Sequence, residues 1–169
     1  RLVEAEQLEP QAADAFCQLL CVSYPATVPG MIKLAAALTL RSRERSRTYA
    51  LKLQRVSERP SYYVADGQDP QSASQVLRPV LTLAEEAQLT VRPIAFVSSH
   101  LSRDIANVSD VKGANLVLLG WHRPLFNRAA LSGTVGEVLE EARADVGVLV
   151  DRGLGQIQRV LVPFHRTAQ

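Results

Sequence analysis

Two stretches of this chain are candidate ligand-binding loops, and one carries residues whose types and spacing suit the binding of an anion. The richer is residues 120–134, Gly120-Trp121-His122-Arg123-Pro124-Leu125-Phe126-Asn127-Arg128-Ala129-Ala130-Leu131-Ser132-Gly133-Thr134, which opens directly into a helical pattern. Gly133 lets backbone amides approach a ligand closely, and Thr134 offers a hydroxyl at the helix cap. The helix amino terminus adds about half a positive charge. Arg123 and Arg128 add full charges, and Trp121 and His122 could stack on or hydrogen-bond a base. The same residues equally suit an ordinary glycine-threonine cap with solvated arginines and a tryptophan that lids the core. The other stretch, residues 23–30, follows an apolar run and presents Ser23 and Tyr24.

The remaining polar residues argue for binding rather than catalysis. No Ser-His-Asp or Cys-His set falls on neighbouring loops, and no Walker lysine precedes Gly133-Thr134. Asp104, Asp110, Glu137, Glu140 and Glu141 fall on polar helix faces, without the close pair that acid–base chemistry or a metal needs. His100 reads as a surface residue. Cys17 and Cys21, four apart in an apolar run, read as buried small hydrophobes rather than as a zinc knuckle or redox pair. Neither a metal nor a required cofactor is expected. Arg41, Arg43, Arg45 and Arg47 put four charges in seven residues. They suit a solvated helix end, or attraction to anionic lipid at up to about 1 kcal/mol each.

The elements that must position these residues alternate strictly between two periods. Leu19-Leu20-Cys21-Val22 reads as a buried strand running into the turn Ser23-Tyr24-Pro25. Met31, Leu34, Ala35 and Leu38 follow at helical spacing, and the helix ends in the arginine run. Residues 47–56 alternate, with Tyr49, Leu51 and Leu53 on one face of a second strand. Residues 57–74 read as a long loop. Leu77, Val80, Leu81, Ala84 and Ala87 form the next helical stripe, with Pro79 tolerable only in its first turn. Residues 90–97 form a third strand, placed at or near an edge because Pro93 cannot donate to a ladder. Ile105, Val108 and Val111 mark a short helix ended by Gly113. In residues 115–119, Asn115 leads into the unbroken apolar run Leu116-Val117-Leu118-Leu119, as in a strand buried on both faces. Val135, Val138, Leu139 and Ala142 give the last helix, and residues 146–150 the fifth strand. Residues 158–164 begin one more strand, whose run into a turn resembles residues 20–25. Alternation of this kind predicts an α/β fold, a doubly wound parallel sheet with helices on both faces.

At 169 residues, 47% hydrophobic and 21% charged, the chain is long enough to bury one core without disulfides. Only 5% of residues are aromatic, too few for the stacking platforms of single-strand nucleic-acid binders. A formal charge of +2 likewise gives nucleic acid no electrostatic footprint. There is no signal peptide, and no apolar stretch long enough to span a bilayer. The chain opens on Arg1 rather than Met and stops after His165-Arg166-Thr167-Ala168-Gln169, which reads as a piece of something longer.

Gly120, two residues, position 123, nine residues and then Gly133-Thr134 resembles the nucleotide-binding loop of universal stress proteins, G-2x-G-9x-G-(S/T). Arg123 stands where that pattern has its second glycine. Ser23-Tyr24-Pro25 stands where the family places an aspartate at the end of strand one. The resemblance implies a five-stranded sheet of order 3-2-1-4-5 and a site at Ser23, Tyr24, Gly120, His122, Arg123, Gly133 and Thr134. It implies an adenine nucleotide or cyclic dinucleotide as ligand, and a homodimer. A narrower resemblance rests on residues 49–61 with their Ser57-Glu58-Arg59 turn, on Pro25-Ala26-Thr27-Val28-Pro29-Gly30-Met31, on Gly120-Trp121-His122-Arg123 and on Val148-Leu149-Val150-Asp151-Arg152-Gly153. These segments are similar to the cytosolic tails of monovalent cation/proton antiporters. That likeness implies a regulatory domain on the cytoplasmic side of the cell membrane, partnered by a transmembrane antiporter domain of the same chain. Alternatives are a ligand-free dimerisation or docking module of such a transporter, or a free-standing ATP-binding stress protein. Residues 1–18 would be a lead-in, 19–153 the domain, and 154–169 a link with the first strand of a truncated second repeat.

Overall fold

A computed structural model describes residues 15–40, 43–55, 70–121, 133–155 and 157. In chain order they form β1 (Phe16–Cys21), α1 (Val28–Thr39), β2 (Ser46–Arg55), α2 (Pro70–Val76), α3 (Arg78–Glu86) and β3 (Val91–Ser98). Then come α4 (Leu101–Lys112), β4 (Leu116–Trp121), α5 (Thr134–Glu141) and β5 (Asp145–Val150), with short 3-10 turns at Pro25–Thr27 and Arg43–Arg45. The five strands make one sheet of order β3-β2-β1-β4-β5, and every neighbouring pair is parallel. This is the order and direction that the sequence resemblance implies.

Period-two alternation splits each central strand between two cores. Leu20, Ala50 and Leu118 pack with Met31, Ile32 and Ala35 of α1 and with Val80 and Ala84 of α3. Cys17, Leu19, Cys21, Tyr49, Leu51, Val117 and Leu119 pack on the opposite face with Ile105 of α4 and Val138 of α5. Helices therefore cover both faces, and the unbroken apolar run of β4 is buried on both sides.

Local departures from the sequence reading have local causes. β1 begins at Phe16, three residues before the apolar run, because a buried glutamine belongs to it. Gln18 is fully buried, and its Nε2 donates to the Ala35 carbonyl at 3.2 Å and to Thr48 Oγ1 at 2.9 Å. The buried stripe of α1 is Val28, Met31, Ile32, Ala35 and Thr39, while Leu38 is 45% exposed. Thr39 can face the core because its hydroxyl donates to the Ala35 carbonyl at 3.0 Å. Residues 70–74, expected at the end of a loop, lie in α2, which Pro70 opens; residues 56–69 lie outside the described residues. Pro79 does fall in the first turn of α3, and β3 does lie at an edge. Gly113 closes α4 at φ 61°, where glycine is favoured. That helix runs twelve residues and leaves Val111 exposed. The strand expected at 158–164 lies outside the described residues.

Candidate functional site

β1 and β4 are neighbours in the sheet, yet β1 leads to α1 on one face and β4 leads to α5 on the other. In doubly wound sheets such a divergence marks the crevice at the carboxyl ends of the two strands, the usual ligand position. Cys21 lies level with Leu119, so residues 22–24 and Gly120 meet at this end. Ser23 and Tyr24 are exposed. The chain then turns through Pro25–Thr27, and both the amide (3.2 Å) and the hydroxyl (2.9 Å) of Thr27 donate to the Tyr24 carbonyl.

Gly120 meets this turn directly. A Cβ at position 120 would stand 2.6 Å from Thr27 Oγ1 and 3.0 Å from Thr27 Cβ, so the 3-10 turn can lie on β4 only because the residue beneath it is glycine. The sequence reading placed Gly120 and Trp121 in the loop; both are strand residues, and Trp121 is only 9% exposed. The core-lid reading of the tryptophan is the one that fits. A residue that spacing did not single out reaches the same rim: Lys52 of β2 donates from Nζ to the Ser23 carbonyl at 3.0 Å.

Gly133 caps α5 with φ 74° and ψ −152°, a conformation that only glycine adopts readily. Thr134 is the first helical residue rather than the cap, and the α5 cap has no side-chain hydrogen bond. The sequence expectation of a hydroxyl cap at Thr134 is corrected accordingly. The first turn of α5 carries the positive end of the helix dipole, offset by the acidic Glu137 in that turn. His122, Arg123 and Arg128 lie outside the described residues. The structure thus gathers Ser23, Tyr24 and Gly120 at the ends of β1 and β4 and sets Gly133 and Thr134 at the far end of the β4–α5 connection.

Beyond β5 the chain turns back to α1. Asp151 Oδ1 accepts hydrogen bonds from the amides of Gly153 and Leu154, both at 2.9 Å. The Asp151 carboxylate lies against Gly30 in the first turn of α1. Lys33 donates from Nζ to the Leu154 carbonyl at 2.7 Å.

The thiols are poor nucleophiles. Burial pushes the Cys21 thiol up to about 12. It also raises that of Cys17, where the charges of Arg47 and Lys112 work the other way. Among the described residues no three His, Cys, Asp or Glu side chains are placed to hold a metal ion. His100 is exposed at the carboxyl end of the edge strand β3, away from the crevice.

No family model matches the sequence. The fold is nevertheless that of universal stress proteins. The chain superposes on one from Archaeoglobus fulgidus with a TM-score of 0.60 at 14% identity, covering 79% of this chain and 97% of that one. A structure of the Archaeoglobus fulgidus protein in complex with dAMP gives 0.57 at 14% identity, over 79% and 96%. A universal stress protein in complex with cAMP gives 0.57 at 13% identity, over 80% and 96%. In sequence the chain is similar to Cation/H(+) antiporter 18 of Arabidopsis thaliana, 29% identical over 183 residues. The match takes in 95% of this chain and 22% of the antiporter, so the chain spans about a fifth of that relative's length. Among the described residues, no helix is long and apolar enough to cross a membrane.

Proposed function

We propose that this chain is a non-catalytic regulatory domain on the cytoplasmic side of a monovalent cation/proton antiporter, and that it senses an adenine nucleotide or cyclic dinucleotide between β1 and β4. The observation that carries this reading is the antiporter likeness running along 95% of a chain with the universal stress protein fold. The dAMP and cAMP complexes of that fold support the ligand class. In this reading the amides around Gly133 and the Thr134 hydroxyl meet phosphate, and Arg123 supplies charge. His122 and Tyr24 flank the base, while Ser23, Gly120 and Lys52 line the rim. The transmembrane antiporter domain is the partner in the same chain, and the domain pairs with a second copy. Ligand occupancy biases transport only as far as the ligand binds one transporter state more tightly than the other.

A second reading has its own support. Thr27 packs onto Gly120, and Ser23 stands where stress proteins place an aspartate, as in a crevice that has lost its ligand and serves a docking module. Thermal unfolding with ATP, AMP, cAMP and cyclic dinucleotides separates the two. A ligand at 100 times its Kd adds about 2.7 kcal/mol, several degrees for a domain of this size. The sensor reading expects such a shift in the wild type, diminished by about 1.5–3 kcal/mol of binding energy in Arg123→Ala. No shift with any nucleotide favours the docking module, and tighter binding by Arg123→Ala means that the arginine fills the pocket.

A further inference from the structure

The segment after β5 is fastened to the first turn of α1 by a contact that a side chain at position 30 would forbid. Gly30 is the third residue of α1, and it is buried. A Cβ built there would overlap the Asp151 carboxylate, with the Asp151 Cγ at 2.7 Å and its Cβ at 3.3 Å. Glycine inside a helix is less favourable than alanine, so its presence here needs a cause, and the seated carboxylate supplies one. Asp151 in turn organises the chain just beyond it, since its Oδ1 holds the amides of Gly153 and Leu154 and Gly153 sits at φ 87°. Lys33, three positions after Gly30 on the same helix, ties down the Leu154 carbonyl. The carboxylate also meets the positive end of α1, whose first turn carries no acidic residue of its own.

We propose that residues 151–155 form a latch that couples the first turn of α1, and through it the Tyr24–Thr27 turn on Gly120, to the chain beyond β5. Position 30 lies three residues from Thr27, the residue that ends the 3-10 turn and caps α1, so displacing either end loads the other. The proposal rests on the functional reading above only in naming the crevice as the place where a ligand would act. The latch itself is tested without any nucleotide, so the two ideas fail separately.

The experiment compares Gly30→Ala, Asp151→Ala, the double variant and Lys33→Ala in the 169-residue chain, by thermal unfolding and residue-resolved amide exchange. A seated latch makes Gly30→Ala lower Tm, against the rise that alanine normally gives in a helix, and makes the same change cost less in the Asp151→Ala background, where only the Cβ at 3.3 Å stays in its way. In Gly30→Ala and Lys33→Ala the amides of Gly153 and Leu154 should exchange at least about tenfold faster. The Thr27 amide should do likewise, while amides of β1 and β4 keep their protection and report an intact fold. A raised Tm for Gly30→Ala with unchanged exchange at 153 and 154 would overturn the seat. Faster exchange at 153 and 154 with no change at Thr27 would overturn the coupling.

Discussion

Gly120→Ala is the sharpest test of how the crevice is built. The new methyl would stand 2.6 Å from Thr27 Oγ1 and 3.3 Å from Thr27 Cγ2, short of the 3.4 Å at which ordinary contact begins. Thr27 cannot simply swing aside: it is 5% exposed, and its hydroxyl donates to the Tyr24 carbonyl at 2.9 Å. Rotating the hydroxyl away forfeits about 0.5–1.5 kcal/mol of net hydrogen-bond stabilisation, and lifting the 3-10 turn off β4 costs a strain of about 1–3 kcal/mol. Whichever route is cheaper, the loss should be about 1–2 kcal/mol, or roughly 2–8 °C in Tm for a domain of this size. The assay is urea and thermal unfolding of wild type, Gly120→Ala, Thr27→Ala and the double variant. Because Thr27→Ala removes Oγ1 and Cγ2 and leaves only the Cβ at 3.0 Å in the way of the methyl, the double variant should lose less than the sum of the single losses by about 1 kcal/mol. Strict additivity, or a Gly120→Ala variant as stable as the wild type, would refute the packing of the 3-10 turn on β4.

The core supplies further expected outcomes. With its thiol near 12, Cys21 should resist iodoacetamide at pH 8 in the folded chain and react only on unfolding, as mass spectrometry of alkylated peptides would read. The same raised value means that the folded state keeps a proton the unfolded chain releases from about pH 9. The contribution of Cys21 to stability is therefore whole below pH 9 and is lost as pH rises toward 12. Gln18→Leu should cost about 1–3 kcal/mol by leaving the buried Thr48 hydroxyl without its donor, and adding Thr48→Val should restore most of the loss in urea midpoints.

The five strands and the two-faced core were legible because the strands announce themselves by apolar runs or period-two alternation and most of the helices by a stripe, whereas the strand order came only from the resemblance to universal stress proteins. The features that stayed hidden are polar or non-local. Gln18 interrupts the first strand's pattern, and only its bonds to Ala35 and Thr48 show why a glutamine can sit there. The stripe of α1 was found at Met31 and Ala35 but not at its ends, because Val28-Pro29-Gly30 looks like turn residues and Thr39 looks like an exposed one, whereas Pro29 belongs to the first turn and Thr39 back-bonds. In the site, the spacing of Gly120 and Gly133-Thr134 found both ends of the β4–α5 connection. It could not tell a glycine that frees a loop from one that admits Thr27. Lys52, Asp151 and Lys33 carry no local signal for their placement: Lys33 and Leu154 meet across 121 residues.

The sheet order also dictates when the domain can be completed during synthesis. β1 is the central strand, and its second edge is closed by β4; the Cys17 amide and the Asn115 Oδ1 that pins it are 98 residues apart. A nascent chain can pair β1 with β2 and β3 as soon as those have left the ribosome. It must then carry the open edge of β1, with the apolar Leu19 and Leu20, until Val117 and Leu118 emerge to cover it. Such an edge is a template for pairing with another chain, and the long closure makes its protection slow. A translation stall before residue 116 would leave the central strand of the protein half-paired, the point in its life at which a chaperone has most to offer.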